Sequence, residues 1–203
     1  MKKIIAVVLF VGAALSGVRA ELFTFDLVNK NGASWDGASS GVYTNVGSGL
    51  TLEAAMFAYV DGSYSSGSQL NSTATDFGIN AAGTGDATSL FDTVNGQEAL
   101  WVSFNRAVTV KSITVSSFSG GNVETGAYQV ANGSLVNFTA SGTYTIDAAL
   151  NQGEYFKTIA VNTGGGNGWI LNSFTVSVPE PVTFGLAGFG GLMAWIIRRA
   201  SRK

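Results

Sequence analysis

The chain contains no cysteine and no histidine, and only two prolines among its 203 residues. Without cysteine no disulfide can staple the fold, so its stability must rest on a packed core and on strand pairing. Without histidine the commonest general base and transition-metal ligand are missing together, which excludes Ser-His-Asp, Cys-His and His-zinc chemistries. Charge is scarce as well: charged residues make up 12% of the chain and the formal net charge is −2. No basic stripe offers a footprint for nucleic acid, so that class of partner is set aside.

What is present in quantity is glycine, at 27 residues, with aromatic residues at 11%. Ser, Thr, Asn and Gly fill the gaps between short apolar runs rich in Val, Phe and Tyr. Such a composition suits an all-β extracellular domain better than a disordered segment or a cytosolic enzyme.

The two ends read as targeting segments. Met1-Lys2-Lys3 is a basic start, residues 4–15 are apolar, and Val18-Arg19-Ala20 supplies small residues at the expected positions. Together these describe a secretory signal peptide over residues 1–20, cleaved between Ala20 and Glu21; the alternative is an uncleaved anchor. At the other end, Val178-Pro179-Glu180-Pro181 holds both prolines and should stop the preceding strand. Residues 182–197 carry no charge, and Arg198, Arg199, Arg202 and Lys203 follow. As a helix that segment is about 24 Å long, short of a hydrocarbon core of about 30 Å. Trp195 at the interface and snorkelling arginines can cover the difference, and the basic cluster keeps the terminus in the cytoplasm.

A Pro-Glu-Pro box, a span of this length and a basic end, in that order over residues 178–203, resemble the PEP-CTERM sorting signal of exported bacterial proteins. The resemblance implies recognition by an exosortase in bacteria that make exopolysaccharide. Pro179, Glu180 and Pro181 would be the recognition box, residues 182–197 a transient transmembrane helix and residues 198–203 the stop. Signal peptidase, exosortase and, transiently, the inner membrane are then the partners expected during export. The mature protein is expected at the cell surface or in the extracellular matrix.

Residues 21–177 are left for one domain with a core of its own. Phe23, Phe25 and Leu27 share one face at period two, which predicts a strand. Residues 34–48 read mostly as loop, with a short strand at residues 42–44. From Leu50 to Val60 every second residue is apolar, with Thr51, Glu53, Phe57 and Tyr59 on the other face; this favours a strand over the helix that Glu53-Ala54-Ala55-Met56 suggests. Residues 63–93 read as a long polar loop broken by Phe77-Gly78-Ile79. Leu100, Val102 and Phe104 form a strand facing inward, and the parity of residues 108–118 shifts near Lys111-Ser112, which predicts a bulge. Further strands are expected at residues 123–130, 135–138, 142–146, 155–161 and 169–177, with a hairpin at Asn132-Gly133. Roughly eight to ten short strands without a long helix point to an antiparallel β-sandwich of jelly-roll type. The run from Phe77-Gly78-Ile79-Asn80 to the strands at residues 100–115 also loosely resembles PEP-CTERM ectodomains, similar in outline to jelly-roll carbohydrate-binding modules.

Carbohydrate surfaces use exposed rings that stack on sugar faces. Trp101 lies on the face opposite Leu100, Val102 and Phe104, and Trp35, Tyr64 and Trp169 lie in or beside loops. These are the candidate stacking residues; the alternative is that their rings pack across strands or under loops. Asp76, Asn80, Asp86 and Asp92 crowd one loop and are candidates for a structural calcium ion, or simply solvated turn residues. No other cofactor is expected. A glycoside hydrolase would need paired carboxylates. Asp92 and Glu98 are nominated, with Glu53, Glu124 and Glu154 as alternatives, but no spacing singles out a pair. The expected function is therefore a non-enzymatic structural or adhesive protein associated with extracellular polysaccharide, with a carbohydrate-binding module as the alternative.

Overall fold

A computed structural model describes residues 20–30, 32–47, 49–64, 67–81, 90–93, 96–118, 124–162 and 168–179. The signal-peptide residues 1–19, the Glu180-Pro181 half of the sorting box, the apolar span and the basic end all lie outside them. Among the described residues no helix is long and apolar enough to cross a membrane.

The described residues are all-β and antiparallel. The strands are β1 (Glu21–Asp26), β2 (Ser40–Gly47), β3 (Leu50–Val60), β4 (Ser63–Tyr64), β5 (Ser68–Ser72), β6 (Phe77–Ala81) and β7 (Glu98–Phe104). They continue with β8 (Val108–Ser116), β9 (Thr125–Val130), β10 (Val136–Phe138), β11 (Gly142–Leu150), β12 (Phe156–Asn162) and β13 (Ile170–Val178). One sheet runs β1-β13-β8-β11; the larger runs β10-β9-β12-β7-β3-β2, with β4 continuing the β2 side of β3, and β5 and β6 form a separate hairpin. From β7 onward nearly every connection crosses from one sheet to the other.

Alternation builds the core. Phe23, Phe25 and Leu27 are buried, as are Leu52, Ala54, Met56 and Ala58 of β3 and Leu100, Val102 and Phe104 of β7. Rings bridge the two sheets at the centre: Phe25 stacks on Phe174 at 4.8 Å and meets Phe104 edge-on at 5.9 Å, while Phe156 lies 6.1 Å from Phe174. This is a two-layer sandwich with one continuous core. Asp61 and Gly62 both take positive φ, at 51° and 72°, and fold β4 back on β3. Asn132-Gly133 joins β9 to β10 as expected, with Gly133 N donating to Val130 O at 2.9 Å. The parity shift in β8 is a bulge: against β13 the register steps from Ser112↔Thr175 to Val110↔Val176, leaving Lys111 over. Its ammonium pairs with Asp147, which sits at φ 54° in the matching irregularity of β11.

Three expectations need correction. Residues 34–48 are less irregular than they read, because β2 spans Ser40–Gly47 and pairs along its whole length with β3. The stretch from 63 to 93 contains the β5–β6 hairpin, in which Ser68, Leu70 and Ser72 of β5 and Phe77, Ile79 and Ala81 of β6 all turn inward. Small hydroxyl residues take core positions there, so the strand has no apolar alternation to betray it. Within the hairpin Gly78 lies flat against the backbone of Leu90, which leaves no room for a Cβ, and Ile79 N donates to Leu90 O at 3.2 Å. Finally, β13 runs one residue past the expected domain edge: Val178 is a buried strand residue paired with Glu21. The residue after the expected signal cleavage and the residue before Pro179 therefore lie side by side.

Candidate functional site

The outer face of the larger sheet carries what its sequence parity sends away from the core. In register across β12, β7, β3 and β2 stand Lys157, Trp101, Phe57 and Ser40. Tyr59 follows Phe57 on the same face of β3, opposite Tyr64 of β4. Tyr155 comes just before β12. These aromatic residues touch in a closed circuit. Trp101 stacks on Tyr59 at 4.3 Å and tilts against Tyr155 at 5.3 Å. Phe57 meets Tyr155 at 6.1 Å and Tyr64 at 5.9 Å, and Tyr64 closes on Tyr59 at 5.7 Å. Lys157 holds its ammonium 3.9 Å from the Trp101 ring centre, a cation–π contact.

The polar groups of this patch are phenols and serines. Tyr64, 48% exposed, donates to Ser40 Oγ at 3.2 Å and shares a hydrogen bond with Ser39 Oγ at 3.3 Å. Those hydroxyls favour the phenolate and pull the Tyr64 pKa below its ordinary value. Tyr59 moves the other way: burial raises its pKa, with Tyr155 and Tyr64 adding to the shift. The patch thus combines apolar ring area, three phenol oxygens, two serine hydroxyls and one cation. Chemically it can cover apolar faces of sugars, share hydrogen bonds with hydroxyls and meet an anionic group.

Trp101 lies on the outer face, as its parity implied. Its ring is not an open stacking plane, however, because Tyr59 approaches from the β3 side and Lys157 from the β12 side. Trp35 and Trp169 do not belong to the platform. Trp35 is 3% exposed and packs on Phe77 and Tyr43; Trp169 is fully buried, stacked on Phe91 at 4.4 Å and edge-on to Phe138. Both rings are packed among other aromatic side chains, which is the alternative their sequence positions left open. Tyr64 does join the platform. Phe57, Tyr59 and Tyr155 were missed as site residues, although Phe57 and Tyr59 share the off-core parity of β3; only the β3–β7 register brings them to Trp101.

Of the calcium candidates, Asp76 caps its own turn, accepting from Thr75 Oγ1 at 2.9 Å and Thr73 Oγ1 at 3.3 Å. Asn80 is half-buried on β6, and its buried Oδ1 has no hydrogen-bond partner among the described residues. Asp92 is buried, and Asp86 lies outside the described residues. Among the described residues no three acidic side chains gather at one point. Of the nominated carboxylates, those of Glu98 and Glu154 hydrogen-bond to nearby backbone. Glu98, fully buried, accepts from Asp92 N at 2.8 Å while its own N–H donates to Asp92 O at 3.2 Å, closing the loop between them. Glu154 accepts from Asn151 N at 2.9 Å, Glu124 is buried, and Asn105 ties down the Glu53 backbone.

No family model and no curated relative matches the chain. Among solved structures it is similar to a family two carbohydrate esterase from Cellvibrio japonicus, at 10% identity over 81% of this chain and 37% of that one, with a TM-score of 0.31. The chain spans little more than a third of that protein, and a likeness of this size carries no functional argument.

Proposed function

We propose that this chain is an exported, non-catalytic protein of the bacterial surface or extracellular matrix that holds extracellular polysaccharide against the outer face of its larger sheet. The sandwich is read as a jelly roll: its β1-β13-β8-β11 and β7-β12-β9-β10 paths interleave in the chain as two Greek keys do. Export rests on the signal-peptide pattern, and release on the Pro179-Glu180-Pro181 box, the uncharged span and the basic end that resemble a PEP-CTERM signal. The pairing of Glu21 with Val178 supports this reading, since the residue after the expected signal cleavage and the residue before Pro179 are neighbours.

The observation that carries the contact surface is the aromatic circuit around Trp101. Five rings on a solvent face are a cost in solubility unless something covers them. Tyr64 and the rims of Phe57 and Tyr155 offer ring area, and Lys157 suits a polysaccharide bearing carboxylate or sulfate. A second reading is favoured by the ring contacts themselves: cross-strand aromatic pairs brace a sheet, at about 0.5–1.5 kcal/mol each. Trp101→Ala separates the two. Retention on extracellular polysaccharide falls about tenfold if the face binds, whereas a pure brace loses melting temperature with retention unchanged. Mass spectrometry of both termini of the exported protein tests the rest: the expected start is Glu21, with the end near Pro181, and an intact Lys203 on secreted protein overturns the sorting account.

A further inference from the structure

We propose that β2 is a self-pairing edge, along which two copies of this chain join antiparallel about a two-fold axis at Thr44. Among the described residues, strand order leaves β2 at the end of the larger sheet. The parity of its free groups follows from one bond: Ser39 O accepts from Ala58 N at 2.9 Å, so Ser39 faces Ala58 as a hydrogen-bonded pair. In an antiparallel ladder such pairs alternate. Gly41, Tyr43, Asn45 and Gly47 therefore spend their backbone groups on β3. Ser40, Val42, Thr44 and Val46 turn their N–H and C=O toward the open edge, and the side chains of Val42, Thr44 and Val46 are exposed, Val42 by 50% and Val46 by 68%.

Proteins normally guard such an edge with charge, proline, a bulge or brevity. The other ends of the two sheets are guarded: β1 carries Glu21 and Asp26, β11 carries the register shift with Asp147, and β10 has three residues. β2 has eight residues, Ser-Gly-Val-Tyr-Thr-Asn-Val-Gly, without charge, proline or register shift. The occupant that fits is a second copy, because the strand complements itself. A two-fold axis at Thr44 sets Thr44 against Thr44 and each Val42 against the other copy's Val46, all residues whose backbone groups face the edge. With no charge on the strand there is no repulsion across the axis.

Such an axis stands perpendicular to the sheet, so both aromatic circuits share one outer face. Five strand spacings separate the two Trp101 residues, about 24 Å at about 4.8 Å per spacing. Two platforms on one face would bind one polysaccharide bivalently. That consequence rests on the reading of the platform above; the pairing does not.

The absence of native cysteine makes the register readable by single substitutions in the full chain, purified in detergent. Directly opposed residues of a hydrogen-bonded pair have Cα atoms about 5.5 Å apart, within disulfide range. Mild oxidation is expected to give a covalent dimer of Thr44→Cys alone, and of Val42→Cys mixed with Val46→Cys, but not of Val42→Cys alone. Equal cross-linking of Val42→Cys alone, or none by Thr44→Cys, overturns the proposal. Val46→Lys should raise the dimer dissociation constant about tenfold or more in sedimentation, with an unchanged circular dichroism spectrum. An unshifted Val46→Lys dimer also overturns it. Trp101→Ala leaves dimerisation intact, so failure of the platform and failure of the edge are distinguishable.

Discussion

The two outer faces of the sandwich are built by the same alternation and end up chemically opposite. On the smaller sheet, Thr24, Thr175, Ser112 and Thr145 stand in one row across four strands. Hydroxyls there pair with each other, Thr24 with Thr175 and Thr114 with Thr143, each at 3.0 Å. On the larger sheet the corresponding positions hold Phe57, Tyr59, Trp101 and Lys157. Threonine satisfies strand propensity while keeping a face wet. Rings in the same place satisfy it too, yet leave apolar area that a monomeric protein ordinarily avoids. Under the function proposed above, the larger sheet is the working face and the smaller one its support.

The comparison can be broken at several points, with effects of decreasing size. Phe174→Ala removes the ring that joins Phe25, Phe104 and Phe156 across the sheets. It should cost about 3–5 kcal/mol in denaturant unfolding and weaken both faces alike. Trp101→Ala should lower polysaccharide affinity about tenfold, about 1.4 kcal/mol, while Thr114→Ala on the other face leaves affinity unchanged. Asp147→Asn removes the ion pair with Lys111; both side chains are over a third exposed, so stability should fall by less than about 1 kcal/mol, and only at low salt. The smallest effect is spectroscopic. Tyrosine absorbance titration should find Tyr64 ionising below the ordinary tyrosine value of about 10 and Tyr59 above it, assigned with the Tyr64→Phe and Tyr59→Phe variants. For Tyr59 the sign is that of a raised pKa in an acidic group: its neutral form is favoured by folding, and that contribution fades as pH rises above about 10.

Most of the sandwich was legible because its core strands keep strict period two: β1, β3 and β7 could be read residue by residue, and the β8 bulge from its broken parity. β5 was not, since Ser68 and Ser72 fill inward positions that ordinarily announce themselves with valine or isoleucine. Trp101 was legible by parity alone. For Trp35 and Trp169 the sequence left stacking and burial both open, because flanking glycines and asparagines mark a turn without saying where the ring packs; both are buried. The partners of Trp101 depend on register between β3, β7 and β12, strands distant in sequence, and no local pattern encodes that distance.

Hydroxyl-radical footprinting with and without bound extracellular polysaccharide tests the working face most directly. Protection is expected at Tyr59, Tyr64, Trp101 and Tyr155, with Leu22 and Tyr144 oxidised at unchanged rates. Protection confined to the smaller sheet, or unchanged oxidation at Tyr64 and Trp101 when polysaccharide is bound, contradicts the assignment.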